Sequence, residues 1–422
     1  MRNIFDQYEQ PENKLTHALI STLSREPRLV RPFLKWLKIG SIPPGRLRLV
    51  EQQLPRVNIL EEVSEEVIDA KGIPDACIFD DEGWALLIES KVPSPVKRDQ
   101  LERHLNSAKH NGYDNASVLL ITVNKFCGRL PERAKAVEWR ELYQWFHKHS
   151  TVPSWARTFI EYMQIFESRM IAKKKDYLEQ GTLTMFDGLR FDEDNLYTHR
   201  EGKRLIRLLR DELKQRKDLK ELGVDPDGKG RSALTGSGSD SVWDFLPLEQ
   251  AQGAVHTAFP HLTIAMNAET AVAALTVPNG VKGGFRTKLK KGGIKCFLSL
   301  VAELELALRR AKRVKKSKGA KPILYVEQGH FLGQKSPRIT DGRIEVDMRT
   351  LSGCSKAAVK YQPEWIDAIY NLLTHKRSNM QFGVEVRFKY DCPILKSREV
   401  VDLFADTWVA LKPLLDFVLS DK

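Results

Sequence analysis

At 422 residues the chain exceeds the usual size of one compact domain, so two domains are expected. Its 42% hydrophobic and 29% charged residues describe an ordinary folded protein, and no apolar run approaches the roughly 18 to 20 residues that a membrane span requires. The net charge of +12 is uneven: residues 1–150 hold 22 Lys+Arg against 21 Asp+Glu, whereas residues 151–422 hold 45 against 34.

The N-terminus, Met1-Arg2-Asn3-Ile4-Phe5-Asp6-Gln7, has no apolar signal core. Five scattered cysteines, Cys77, Cys127, Cys296, Cys354 and Cys392, include no Cys-x-x-Cys pair. A cytoplasmic, reducing location without zinc or disulfides is expected, and no membrane contact.

In chain order, Asn13–Leu23 is predicted as a helix, with Leu15, Ala18, Leu19 and Leu23 on one stripe. Three strands follow, near Asn58–Val67, Asp75–Phe79 and Trp84–Lys91. Gly83 closes the polar turn that joins the last two as a hairpin. Arg98–His110 reads as a helix, Ala116–Val123 as a strand buried on both faces, and a further helix begins near Val137. Side chains alternate across a strand, so Glu89 and Lys91 share one side, and Asp75 on the paired strand can reach it. Two carboxylates and an amine then converge at one sheet edge. Hard oxygen ligands beside a cation suit Mg²⁺-assisted phosphodiester hydrolysis.

Pro74-Asp75, thirteen residues and Glu89-Ser90-Lys91, set in the order helix, three strands, helix, strand, resembles the PD-(D/E)XK nuclease superfamily. The resemblance implies an α/β restriction-endonuclease-like core, a mixed central sheet flanked by helices, over residues 1–150. It implies Asp75, Glu89 and Lys91 as catalytic residues. Asp75, Glu89 and the Ser90 carbonyl would be ligands of Mg²⁺, or of Mn²⁺. Two auxiliary positions stay open between two readings. Glu12 is either an acid near the metal or a charge favouring a helix N-terminus, and Gln100 either approaches the site or lies on an exposed helix face. Taken singly, Glu89 and Lys91 could also be an exposed edge-strand ion pair of small energetic weight.

Beyond residue 150, a helical connector is expected over residues 151–195, including a long helix from Trp155 to about Lys175. A basic α+β domain follows over residues 196–422. Tyr197–Leu222 reads as a charged helix and Gly223–Asp240 as a mobile loop. Strands are expected at Leu262–Met266, Ala271–Val277, Ile323–Val326, Ile344–Met348 and Phe382–Phe388. Helices are expected at Cys296–Lys316, Pro363–Thr374 and Val400–Val418. The densest basic stretch is a glycine-rich loop with Lys282, Arg286, Lys288, Lys290 and Lys291, continued by Arg309, Arg310, Lys312 and Arg313 at a helix end. These nine cations are candidate contacts to a nucleic-acid phosphate backbone, with a solvated basic face as the other reading.

The function expected from all this is a Mg²⁺-dependent nuclease, a DNA endonuclease by preference, in a bacterial restriction or antiphage setting implied by analogy. Two alternatives stand beside it: a nucleic-acid-binding subunit of a larger complex on a nuclease-like scaffold, and an RNA-directed nuclease. Cutting both strands of a duplex would favour a homodimer or a partner subunit.

Overall fold

The structure, a computed structural model, describes residues 4–55, 73–92, 95, 97–151, 154–173, 181–189, 199–231, 241–251, 256–281, 284–333, 338–350, 363–375 and 380–420. The chain divides into two compact units, Met1–Met185 and Phe186–Lys422. Both are mixed α/β.

The first unit runs α1 (Pro11–Arg25), α2 (Val30–Leu37), β1 (Arg48–Glu51), β2 (Ala76–Phe79), β3 (Trp84–Ser90), α3 (Arg98–His110), β4 (Asn115–Thr122), β5 (Ala134–Glu138), α4 (Trp139–His149) and α5 (Trp155–Lys173). Its five strands lie in sequence order. β1, β2 and β3 pair antiparallel, whereas β3–β4 and β4–β5 pair parallel. β3 is therefore the strand at which the sheet changes from antiparallel to parallel. All seven of its residues are buried, which is why Trp-Ala-Leu-Leu-Ile lacks the alternation of a half-exposed strand.

The two faces of this sheet carry different layers. Ile78, Leu86, Ile88, Leu119 and Ile121 pack against α1, α2, α4 and α5 through Leu19, Phe33, Phe146 and Phe159. Cys77, Phe79, Ala85, Leu87, Val118 and Leu120 pack against α3 through Leu101 and Ala108. The strand expected near Asn58–Val67 lies outside the described residues. β1, α2 and β5 are additions to the sequence reading.

The long helix of the expected connector packs into the first unit. Phe159, Ile160 and Met163 of α5 are fully buried in its core. Glu167, also on α5, accepts the Leu183 amide at 2.7 Å and the Thr184 hydroxyl, which ties residues 183 and 184 to the same unit.

The second unit runs α6 (His199–Lys214), α7 (Lys217–Glu221), β6 (Ser241–Leu246), β7 (His261–Asn267), β8 (Thr270–Val277), α8 (Phe285–Arg310), α9 (Lys312–Lys316), β9 (Lys321–Phe331), β10 (Arg338–Asp347), α10 (Pro363–Thr374), β11 (Met380–Lys389), α11 (Glu399–Ala410) and α12 (Lys412–Leu419). Its six strands form an antiparallel sheet in the order β10-β9-β11-β8-β7-β6. Three predicted helices are each two elements, and in the first Arg216 takes extended geometry between α6 and α7. Pro413 sits in the first turn of α12, the position where a missing amide hydrogen costs nothing, and it divides α12 from α11. Ala311 leaves helical geometry and divides α8 from α9. From Phe285 on, the predicted glycine-rich loop is instead the first part of α8, interrupted at Gly293, whose φ of 67° suits only a residue without a side chain.

Candidate active site

The β2–β3 hairpin sets the site. Its turn is closed by Asp80, whose Oδ1 accepts the amides of Glu82 at 3.0 Å and Trp84 at 2.8 Å. Gly83 takes φ 94° there. The register pairs Ala76 with Ile88 and Cys77 with Leu87, so one further step sets Asp75 opposite Glu89. Asp75 Oδ2 accepts the Ser90 amide at 2.7 Å and the Ser90 hydroxyl at 3.2 Å. On the α1 side, the Ser90 hydroxyl meets Thr16 Oγ1 at 2.7 Å and the Glu12 carbonyl oxygen at 3.3 Å. The Lys91 amide donates to Ile121 of β4 at 2.8 Å, which fixes the end of β3 against the parallel neighbour.

Glu89 is 2% exposed and carries a converging set of donors. Lys91 Nζ and Gln100 Nε2 each reach Oε1 at 2.6 Å, and His104 Nε2 lies 3.0 Å from Oε2. Burial alone would raise the Glu89 carboxyl. The His104 hydrogen bond and the Lys91 charge outweigh burial and hold it below its ordinary value. A carboxylate can only accept, so His104 Nε2 carries the proton. Asp75 shifts the other way: burial first, then the charge of Glu89, push it up to about 6. The site thus contains one stably ionised acid and one that repels it.

The donor chemistry fits a hard divalent cation. Each carboxylate oxygen offers about two acceptor positions. Glu89 Oε1 is filled by Lys91 and Gln100, and Asp75 Oδ2 by the two Ser90 donors, which leaves capacity on Glu89 Oε2 and Asp75 Oδ1. Among the described residues no three His, Cys, Asp or Glu side chains gather into a ligand group. Mg²⁺ commonly takes only one or two protein carboxylates and keeps several waters, so the sparse set suits it.

Of the auxiliary positions, Gln100 reaches the site directly. Glu12 contributes the first turn of α1: it is buried at 9% exposure, and its carbonyl accepts the Thr16 hydroxyl at 3.0 Å, with the Ser90 hydroxyl oxygen 3.3 Å away. His104 was missed as a site residue, although its spacing from Gln100 on one helix places both on the same face. Thr16 was missed as well, and nothing in its local sequence marks it. Beside them on α1 and β1, His17 Nδ1 lies 2.8 Å from Glu51 Oε2.

The expected nucleic-acid contacts divide. Lys282 lies outside the described residues. Arg286 donates to Asn279 Oδ1 at 3.0 Å and to the Met380 carbonyl at 2.8 Å. Lys288 reaches the carbonyls of Phe417 and Ser420 behind α12. Arg313 pairs with Asp402 at 2.8 Å and Asp406 at 3.2 Å. Those three are held by groups of the second unit. Lys290, Lys291, Arg309, Arg310 and Lys312 are exposed. The break at Gly293 leaves them in two groups, because sixteen residues from Gly293 to Arg309 span ~24 Å of helix.

Compared with protein-family models, curated proteins and solved structures, the chain matches none. No helix among the described residues is long and apolar enough to cross a membrane.

Proposed function

We propose that the first unit is a metal-dependent phosphodiesterase of the restriction-endonuclease-like type, acting on nucleic acid and on DNA by preference. The observation that carries this reading is the convergence of Asp75, Glu89, Lys91 and Gln100 where the sheet changes from antiparallel to parallel. Glu89 and Lys91 stand at the carboxyl end of β3, the end of the strands outside which open α/β sheets bind ligands.

Asp75 Oδ1, Glu89 Oε2 and the Ser90 carbonyl would hold Mg²⁺ or Mn²⁺. A cation there would supply Lewis-acid neutralisation of charge developing on a phosphodiester. Lys91, held by Glu89, is placed to orient the attacking water or to stabilise the developing negative charge. Gln100 fixes the carboxylate that fixes Lys91. A binding-only protein on this scaffold has no use for two carboxylates, an amine and an amide gathered at one point, which favours the catalytic reading. A restriction or antiphage role remains an analogy drawn from the superfamily.

The test is cleavage of circular and linear plasmid by wild type with Mg²⁺, wild type with EDTA, and Lys91→Ala. Glu89 keeps Gln100 and His104 in the variant, so the fold and nucleic-acid binding should persist while cleavage falls by about 10² or more. Circular DNA cut only by wild type with Mg²⁺ supports an endonuclease, and cleavage of linear DNA alone supports an end-dependent enzyme. RNA cleaved in place of DNA redirects the substrate. Full activity in Lys91→Ala would remove the assignment.

A further inference from the structure

The cations at the far end of α8 belong to a compact turn of the second unit. Leu306 to Val326 holds eight Lys and Arg residues and no Asp or Glu. One of the eight, Arg313, faces α11 and is paired with Asp402 and Asp406, and its neighbour Val314 is buried. With that side of α9 turned inward, Lys312, Lys315 and Lys316 stand outward. Lys318 and Lys321 follow on either side of Gly319, which turns the chain into β9 with φ 76°. Arg310 closes α8 beside them. These six are exposed, and none has an ion pair among the described residues.

Helix capping accounts for only part of the group. Cations in a last helical turn favour the dipole, which covers Arg310, Lys315 and Lys316. Lys312 instead opens α9, the end where a positive charge is unfavourable, and Lys318 and Lys321 lie in neither helix. Lys312 also stands three and four residues before Lys315 and Lys316, the spacings at which like charges destabilise a helix. The carboxylates that border the turn are committed. Asp402 and Asp406 hold Arg313, and Asp347 holds Arg349 at 2.6 Å, whose guanidinium also reaches the Ala320 carbonyl at 3.4 Å. Elsewhere in the unit Arg343, Arg387 and Lys412 each have a carboxylate partner. Here the repulsion is left for an anionic partner to relieve.

We propose that this turn is the surface by which the second unit holds duplex DNA, through the phosphate backbone and without reading bases. Five of the six cations are lysines, whose ammonium meets phosphate as a point charge; the guanidinium fork that reads guanine is present once. From Arg309 to Lys321 no aromatic side chain offers a stacking surface to an unpaired base, so a single strand is a poor occupant. No exposed large apolar side chain accompanies the cations in that stretch, so nothing in it would enter a lipid surface. Lys315, Lys316, Lys318 and Lys321 lie beyond the contacts expected from sequence. The choice of DNA as partner rests on the phosphodiesterase reading of the first unit.

The test is binding of a labelled duplex to the full chain in EDTA, followed by fluorescence anisotropy across about 50–200 mM salt. Each phosphate contact adds about 0.9 to the slope of log affinity against log salt. Lys312→Gln, Lys315→Gln and Lys316→Gln together should therefore flatten the slope by about 3. That triple variant should melt no lower than wild type, because like-charge repulsion has been removed, which separates lost contact from lost fold. Lys318→Gln with Lys321→Gln, outside both helices, should flatten the slope by about 2. Lys412→Gln, which removes an exposed cation paired with Asp416 at 2.5 Å, should leave it unchanged. Two duplexes of unrelated sequence should bind alike. Slopes unchanged in both lysine variants overturn the surface, as does an equal flattening in Lys412→Gln. Tighter binding of a single strand, or discrimination between the two duplexes, overturns the mode of binding. Salt-sensitive binding of phosphatidylserine vesicles with no binding of duplex overturns the partner. Duplex binding that follows these slopes without cleavage in Mg²⁺ upholds the surface and counts against the nuclease reading. Cleavage by the triple variant at the wild-type rate and salt dependence does the reverse.

Discussion

Asp75 and Glu89 face each other across one hairpin, and their surroundings drive them apart in charge preference. Glu89 is settled by His104, Lys91 and Gln100, whereas among the described residues Asp75 receives only Ser90, through its amide and hydroxyl. In protein kept metal-free with EDTA this has a definite sign. The folded Asp75 carboxyl titrates at about 6, against about 3.9 in an unfolded chain. Between those values the folded state holds a proton that the unfolded state has released, so stability falls as pH rises from about 4 to about 6. The loss is about 1–3 kcal/mol after allowing for partial exposure. Asp75→Asn should remove that slope and be the more stable protein at pH 7.5, and urea unfolding across the range would show it. An identical slope in Asp75→Asn would mean that Asp75 is not the group that titrates across this range. Asp75, Glu89 and Lys91 are legible in the sequence because strand alternation and one short turn bring them together. His104 is legible only through Gln100: it stands one turn on along the same helix face, and its contact with Glu89 follows once α3 covers the sheet.

At the scale of elements, apolar periodicity marks α1, β3, α3 and β4 clearly, since each has a buried stripe or a buried run. β1 and β5 escape for a physical reason. Arg48–Glu51 is short and nowhere fully buried, and Ala134–Glu138 is polar at one end, so neither shows the contrast a reader relies on. α6 misleads in the opposite direction: its charges suggest solvent, while Asp244, which holds Arg210, lies 34 residues away in sequence. The β2–β3 turn is the element whose failure would be felt at the site. A Cβ on Gly83 would stand 3.1 Å from the Gly112 carbonyl, on a backbone with φ 94°. Gly83→Ala should cost roughly 1–2 kcal/mol through that left-handed geometry. It should also lower cleavage more than its stability loss explains, because the register that aligns Asp75 with Glu89 is disturbed. Thermal melting and plasmid cleavage measured together would separate the two effects, and unchanged cleavage would show that the turn does not set the site.

For the whole molecule, the excess positive charge does not translate directly into contact surface. Arg286, Lys288 and Arg313 are spent on carbonyls and carboxylates of the second unit. Exposed Lys290 and Lys291 remain available. Under the nuclease reading, Lys290→Glu with Lys291→Glu should flatten the dependence of log affinity on log salt by about 2, one for each lost phosphate contact, with no change in melting. Arg286→Ala should do the reverse, lowering the melting temperature and leaving the slope alone. A slope indifferent to Lys290 and Lys291 would place the nucleic acid on another face.

The arrangement of the first sheet also bears on how the chain assembles. Four residues close the β2–β3 hairpin, whereas 24 residues separate Ser90 from Asn115, with α3 inside that excursion. Short closures form ahead of long ones because they lose less chain entropy. The two acids that oppose each other are therefore joined early, while Gln100 and His104 reach Glu89 only after the crossover has wrapped onto the sheet. The hairpin thus sets the two acids opposite each other before burial, the larger cause of the Asp75 shift, is complete.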